Sequence, residues 1–154
     1  MERSPVTSEL DARLRLIAES HQRLTGRPLL HMQQSELRDA LWNAPRVIVA
    51  HGTEADPVFF YGNLMALKLF EMDLAAFTRL PSRFSAEPMQ REERERLLNR
   101  VAQQGYVDDY CGVRVASSGR RFRIDAATVW NLVDENGVCH GQAATFTEWR
   151  YIEG

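Results

Sequence analysis

The sequence predicts an α+β fold, a five-stranded antiparallel sheet with short helices on one face and a helical flank at the N-terminus. Three observations predict it. Apolar residues recur every three to four positions over 8–25 and in "REERERLLNRVAQQG", whereas the last fifty residues alternate with period two. The β-branched run "RVIVAHG" is followed, after turn residues, by "VFFYGN", which makes a hairpin. Asn136-Gly137 separates two further β-like runs, a strong hairpin signal when both turn residues accept positive φ.

Each element has a local reason. Residues 8–25 read as a helix, with Ser8 and Asp11 resembling a capping box and Leu10, Leu14, Ile17 and His21 on one stripe. Thr25-Gly26 ends it. A short helix from Ser35 carries Leu37 and Leu41 and stops before Pro45. Asn63 caps a helix over Leu64–Phe70, and Asp73 opens a shorter one through Phe77. After "LPSRFSAEP", Pro88 admits the longer helix, with Arg94, Leu97, Leu98 and Val101 on one face and Gly105 as C-cap. Three strands close the chain. Val113 and Val115 oppose Arg114 on the first, Ser117-Ser118-Gly119 turns, and Phe122 and Ile124 alternate with Arg121 and Arg123 on the second. The expected division is a flank over 1–44 and the sheet-bearing domain over 45–154.

Bulk properties narrow the function. A chain of 154 residues fits one domain with a short extension, large enough to need no metal or disulfide. The net charge of −2 supplies no basic excess for phosphates, so nucleic acid is not an expected partner. No apolar run approaches the ~20 residues of a membrane span, and "MERSPVTSEL" has no signal-peptide core. A cytoplasmic protein without membrane contact is expected. Cys111 and Cys139 are expected as reduced, buried thiols.

This element order is that of the small-ligand sensor fold known as PAS. In particular, "DPVFFYGNLMALKLFE", "LPSRFSAEP", "REERERLL", "DDYCGVRVASSGRRFRI", "VWNLVDENG" and "GQAATF" together resemble the MEKHLA domain. That family is a PAS-related module found at the C-terminus of plant homeodomain–leucine zipper regulators and as small standalone microbial proteins, and this chain resembles the standalone type. The resemblance runs from Leu24 to Trp149. It implies a PAS-like sheet whose inner face and helical cover enclose a small-molecule site, or whose outer face docks another protein. It implies no catalytic residues.

Cofactor chemistry is constrained by the same comparison. Ser82 stands where light-oxygen-voltage flavin domains carry their photoreactive cysteine, and a hydroxyl forms no flavin–thiol adduct. Ala143 is expected where that branch places a flavin-contacting glutamine. Haem-binding PAS domains take a histidine from the longer helix of the cover, and no histidine lies between His51 and His140. The four histidines show no ligand spacing, and Cys139 and His140 point to opposite faces of one strand, so no metal site is expected.

The remaining candidates are polar groups in an apolar setting. Arg83, Ser85 and Glu87 alternate along "LPSRFSAEP". Arg83 is suited to a planar pair with Glu87, Asp108, Asp109 or a ligand carboxylate. Ser85 is either a helix cap or a site residue. Trp130 shares a face with Thr128 and Leu132, Asn131 with Val129 and Val133, so only one of the pair looks inward. Tyr61, Asn131 and Gln142 supply convergent polar groups for an apolar pocket, and Asn63 joins them beside its capping role. Arg120, Arg121 and Arg123 form a small basic cluster after Gly119. The expected function is a non-enzymatic sensory or interaction module, dimeric through a helix over 8–25 that is surplus to the core, and signalling through a separate output protein. The rival is a cone-shaped α+β isomerase or cyclase with an acidic base in an apolar cavity. Its one candidate base, Asp125, falls in phase with Arg121 and Arg123 and away from the core.

Overall fold

The computed structural model describes residues 3–7, 10–30, 37–85 and 91–152, without the side chains of residues 91, 92, 94, 95 and 98. Its elements run α1 (Asp11–Thr25), α2 (Leu37–Trp42), β1 (Val47–His51), β2 (Phe59–Gly62), α3 (Leu64–Phe70), α4 (Leu74–Phe77), a 3-10 turn (Ser82–Ser85), α5 (Arg91–Gln104), β3 (Tyr106–Val115), β4 (Arg121–Val133), β5 (Cys139–Phe146) and β6 (Glu148–Ile152). Ser8 and Ser35, expected at helix starts, and Glu87 and Pro88 lie outside the described residues. Leu10 precedes α1 with no side-chain cap bond, while Gly26 ends it at φ 74°, its N–H on the Gln22 carbonyl.

The strands form one antiparallel sheet in the order β2-β1-β5-β4-β3. A sixth strand joins the five expected from sequence. At 13 residues β4 is long enough to carry two partners on one edge. Its Thr128–Val133 stretch pairs with β5 and its Arg121–Asp125 stretch with β6. Ala126, left-handed at φ 52°, sits at the break between them. The β4–β5 turn also departs from expectation. Only Gly137 has positive φ, and Asn136 does not. Hydrogen bonds from Gly137 to Asp134 and from Asp134 to Val138 make this a longer turn with glycine at its left-handed position.

The sheet is covered on both faces. On the inner face, α3, α4, the 3-10 turn and α5 pack over Val49, Val107, Ala127, Val129, Phe122 and Phe146. Aromatic rings fill this layer: Phe59 stacks on Phe77 at 4.3 Å between centroids, and Phe70 meets Phe122 edge-on at 5.3 Å. The Phe77 ring approaches Gly62 so closely that a Cβ there would stand 2.6 Å from it. On the outer face lies α1, against the expectation that this helix is surplus. Leu14 and Ile17 are fully buried with Ile48, Ala50, Tyr61, Trp130, Leu132 and Ala143. Strand register puts Tyr61, Ala50, Ala143 and Trp130 in one transverse row, two alanines between two large rings. That row is a trough, and the apolar stripe of α1 occupies it rather than a second protomer.

Two strand readings change with the register. Phe122 and Ile124 face inward as their alternation requires. Arg114 pairs directly with Phe122 and Gly112 with Ile124, so Arg114 faces inward too, while Val113 and Val115 stand opposite Arg123 and Arg121. Both cysteines are exposed rather than buried. Cys111 lies within an irregular stretch of edge strand β3, and Cys139 opens β5 beside its turn.

Candidate functional site

Residues 80–85 build one wall of the inner face. Pro81 bridges to Val58, the Phe59 N–H donates to the Leu80 carbonyl (3.1 Å), and the Ser82 N–H to the Pro57 carbonyl (2.8 Å). Backbone bonds thus lay Leu80–Ser82 along the free edge of β2 before the chain turns through Ser82–Ser85. Arg83 then reaches back to Asp56 in the β1–β2 connection, its Nε 3.0 and 3.1 Å from the two carboxylate oxygens. The carboxylate is therefore Asp56, not Asp108 or Asp109, which pair with Arg27 and Arg100. Arg83 does fasten the cover. With 62% and 50% of the two side chains exposed, the pair contributes on the order of 1 kcal/mol or less.

Ser85 is fully buried beneath this turn. Its hydroxyl donates to the Ser82 carbonyl (2.7 Å) and accepts from Arg114 Nη1 (3.3 Å). Arg114 Nη2 donates to the Tyr110 hydroxyl at 3.3 Å, and its guanidinium carbon stands 5.8 Å from the Tyr110 ring centre. Gly112 is why Tyr110 can lie this way. A Cβ at Gly112 would collide with the Tyr110 hydroxyl. Among the described residues, no carboxylate comes within ion-pair distance of Arg114.

The inner face carries a second polar group at its opposite end, in the row His51–Gln142–Asn131. Gln142 Nε2 donates to Asn131 Oδ1 (3.4 Å), and Asn131 Nδ2 to the Val101 carbonyl near the C-terminus of α5 (3.5 Å). Of the alternating pair, Asn131 is thus the inward residue. The other candidates divide differently. Tyr61 and Trp130 are fully buried on the outer face, under α1. Burial raises the Tyr61 hydroxyl pKa, and that hydroxyl has no hydrogen-bond partner among the described residues. Asn63 is an internal fastener: Oδ1 accepts from Ala66 and Ile48 N–H (3.1 Å each), and Nδ2 donates to the carbonyls of Leu41 (3.1 Å) and Arg46 (2.8 Å). Ala143 also lies on the outer face, so the β5 residues that face the cover are Gln142, Ala144 and Phe146.

Strand and cover thus bring Ser85, Tyr110 and Arg114 together, and separately Asn131 with Gln142. Tyr61, Asn63, Arg83 and Trp130 stand apart from both groups. Arg114 and Tyr110 were not among the sequence candidates. The signal existed: a turn at Ser117-Ser118-Gly119 opposes Arg114 to Phe122 and puts both on one face.

Two surface clefts flank α1, of about 370 Å³ (Pro5, Leu10, Glu54, Phe60, Leu74 among its walls) and about 300 Å³ (Arg15, Glu19, Arg23, Asp134, His140). No residue named above as a ligand candidate lines either. Among the described residues, the displaced titrations also lie outside the inner face. Glu54 is lowered by its own and the Val58 backbone N–H, and Asp134 by the His140 ring at 2.8 Å. Burial lowers His21 and Arg46. A general base in an apolar cavity needs a raised carboxyl pKa; both displaced carboxylates move the other way. Asp125 pairs with Arg123 (3.3 Å) and Arg150 (3.9 Å). Among the described residues, no group of three or more His, Cys, Asp or Glu is placed to hold a metal, and no helix is long and apolar enough to cross a membrane.

Comparison with known proteins agrees with this architecture. The sequence model of the MEKHLA domain matches residues 11–151. Homeobox-leucine zipper protein ATHB-9 of Arabidopsis thaliana is 28% identical over 96% of this chain, and HOX29 of Oryza sativa subsp. indica 26% identical over 97%. The matched region is 18% of each plant protein, so the chain spans under a fifth of these relatives. Among solved structures, a PAS domain from Colwellia psychrerythraea superimposes with TM-score 0.60 at 16% identity, covering 74% of this chain and 92% of that one. The light-state dimer of the fungal blue-light photoreceptor Vivid superimposes with TM-score 0.59 at 13% identity, covering 94% and 97%. These superpositions establish a shared PAS-like fold.

Proposed function

Because this chain belongs to the MEKHLA domain family, we propose that it is a cytoplasmic, non-enzymatic sensory module that holds a small molecule between the 3-10 turn and the inner face of its sheet. One observation carries the reading: the two faces are finished differently. The outer face is sealed by α1 through a largely apolar interface whose polar groups are the Trp130–Ser20 hydrogen bond, His21 and the buried Tyr61 hydroxyl. The inner face carries polar side chains from separate segments, Ser85 with Tyr110 and Arg114, and Asn131 with Gln142, under a cover fastened at its edge by an exposed ion pair. A few convergent polar groups in an apolar setting are what a small-ligand site requires. Ser85, Asn131 and Gln142 keep their place as ligand-facing residues in this reading. Arg83 holds the cover, and Tyr61, Asn63 and Trp130 hold the scaffold.

The division into a flank over 1–44 and a sensory domain over 45–154 acquires a physical meaning here, with the flank as the lid of the outer face. Output passes to another protein, as is suggested by the plant relatives, in which the matched region is joined to a much longer chain. Self-association through α1 would have to use its outward polar surface, since its apolar stripe is occupied. Nothing favours the isomerase or cyclase alternative, whose inward base is lacking among the described residues.

Native mass spectrometry with an absorbance spectrum of freshly purified protein tests the reading. A co-purified small molecule, released by Asn131→Leu or Ser85→Val variants that keep their fold, is the expected result. Protein that arrives empty, and whose cover-side amide resonances respond to no compound in a metabolite panel, would count against a sensory site.

A further inference from the structure

We propose that the inner-face site takes an anionic ligand, a carboxylate or phosphate group seated on Arg114, Tyr110 and the turn that carries Ser85. This rests on the sensory reading above and specifies the chemistry of its ligand. Arg114 is half-buried, and its guanidinium has five N–H donors. The described partners are two neutral hydroxyls, each at the long distance of 3.3 Å. The Ser85 proton is spent on the Ser82 carbonyl, which leaves that oxygen as an acceptor for Arg114. Tyr110, 92% buried by its 8% exposure, receives a bond from Arg114, and its own proton has no acceptor among the described residues. Donors therefore outnumber acceptors on a partly desolvated cation.

Among the described residues, Arg27, Arg38, Arg83, Arg100 and Arg123 pair with acids, whereas Arg23 and Arg46 rest on backbone carbonyls and Arg13 and Arg120 lie over aromatic rings. Arg114 faces the inner layer with no such acid. A half-buried guanidinium that meets only two neutral hydroxyls has donors to spare, and its planar fork of N–H groups matches a carboxylate or phosphate. The place is also built. Gly112 gives up its side chain so that the Tyr110 hydroxyl can cross β3 toward Arg114, and Phe122 lies opposite to supply an apolar wall. An acid with an apolar body fits that combination.

The test is an NMR titration of the full isotopically labelled chain with inorganic phosphate and with sodium acetate, at constant ionic strength. Saturable shifts of the Arg114 Nε–H and the Ser85 and Tyr110 amides are expected. Affinity should fall at least tenfold in Arg114→Gln, less in Tyr110→Phe, and stay unchanged in Arg150→Gln, an exposed β6 side chain. Should Arg114→Gln fail to fold, Arg114→Lys and Tyr110→Phe carry the comparison, each expected to weaken binding. Absence of saturable shifts at these three residues, or equal shifts in a folded Arg114→Gln, overturns the anion assignment. A co-purified compound without an acidic group that shifts these resonances also overturns it, yet upholds the sensory reading. If neither anions nor any panel compound perturbs the cover side, both fail together.

Discussion

The indole N–H of Trp130 donates to the hydroxyl of Ser20 over 3.0 Å, joining α1 to the middle of β4 across 110 positions of sequence. The His21 ring meets the same indole edge-on, with centroids 4.8 Å apart. These contacts make the N-terminal helix part of the fold. Ser20→Ala leaves a buried indole donor unsatisfied and should cost about 1–3 kcal/mol in urea denaturation. In Trp130→Phe the donor is gone, so adding Ser20→Ala should cost markedly less. Additive losses would deny the coupling.

His21 makes this junction sensitive to acid. Its pKa is lowered, chiefly by burial, so the folded state resists the proton that the unfolded chain accepts near pH 6.5. Above that pH both states are neutral and the residue contributes no pH dependence. As pH falls below it, the unfolded state binds more protons and stability declines until the folded pKa is reached. His21→Gln should flatten the stability profile over that window. An unaltered slope between pH 7 and 5 would contradict the assignment.

Deleting residues 1–30 should unseat the outer face. Ile48, Ala50, Tyr61, Trp130 and Leu132 would lose their cover, an exposed apolar patch that drives association. Light scattering should show aggregated or larger species, and thermal unfolding should lose its cooperativity. A truncated chain that stays monomeric, with an unchanged melting profile, would show that α1 is dispensable after all.

Asn63 separates a helix cap from a tertiary fastener. If it served only to cap α3, Asn63→Asp would preserve stability, because aspartate caps equally well. Its Nδ2, however, faces the Leu41 and Arg46 carbonyls, where a carboxylate oxygen would meet only acceptors. Asn63→Asp should therefore be as damaging as Asn63→Ala, about 2–4 kcal/mol from lost cap and orphaned partners. Wild-type stability in the aspartate variant would reduce Asn63 to its capping role.

Much of the local architecture was legible in the chain because its causes are local. The β-branched run at Val47–His51, the caps at Asn63 and Asp73 and the left-handed Gly105 each follow from neighbouring residues, and the chain also turns at Asn136-Gly137, though in a longer turn than the two-residue one expected. Even the opposition of Trp130 and Asn131 follows from the two-residue period of a strand. The motif resemblance to a MEKHLA domain belongs to the same level, since it rests on short quoted stretches.

Three-dimensional packing decided the rest. Which of Trp130 and Asn131 faces the cover depends on where α1 lies. The amphipathic stripe of α1 requires that it be buried, without saying whether against its own sheet or a partner. The acid that meets Arg83 depends on bringing Asp56 and the 3-10 turn together across 27 positions. Arg114 turned inward because cross-strand register, set by the hairpin and the inward Phe122, outweighs the polarity of one side chain. Local conformational preference is written residue by residue. Partnership between distant side chains exists only once strand order and register have been chosen, and at Arg114 that choice leaves a charge facing the core.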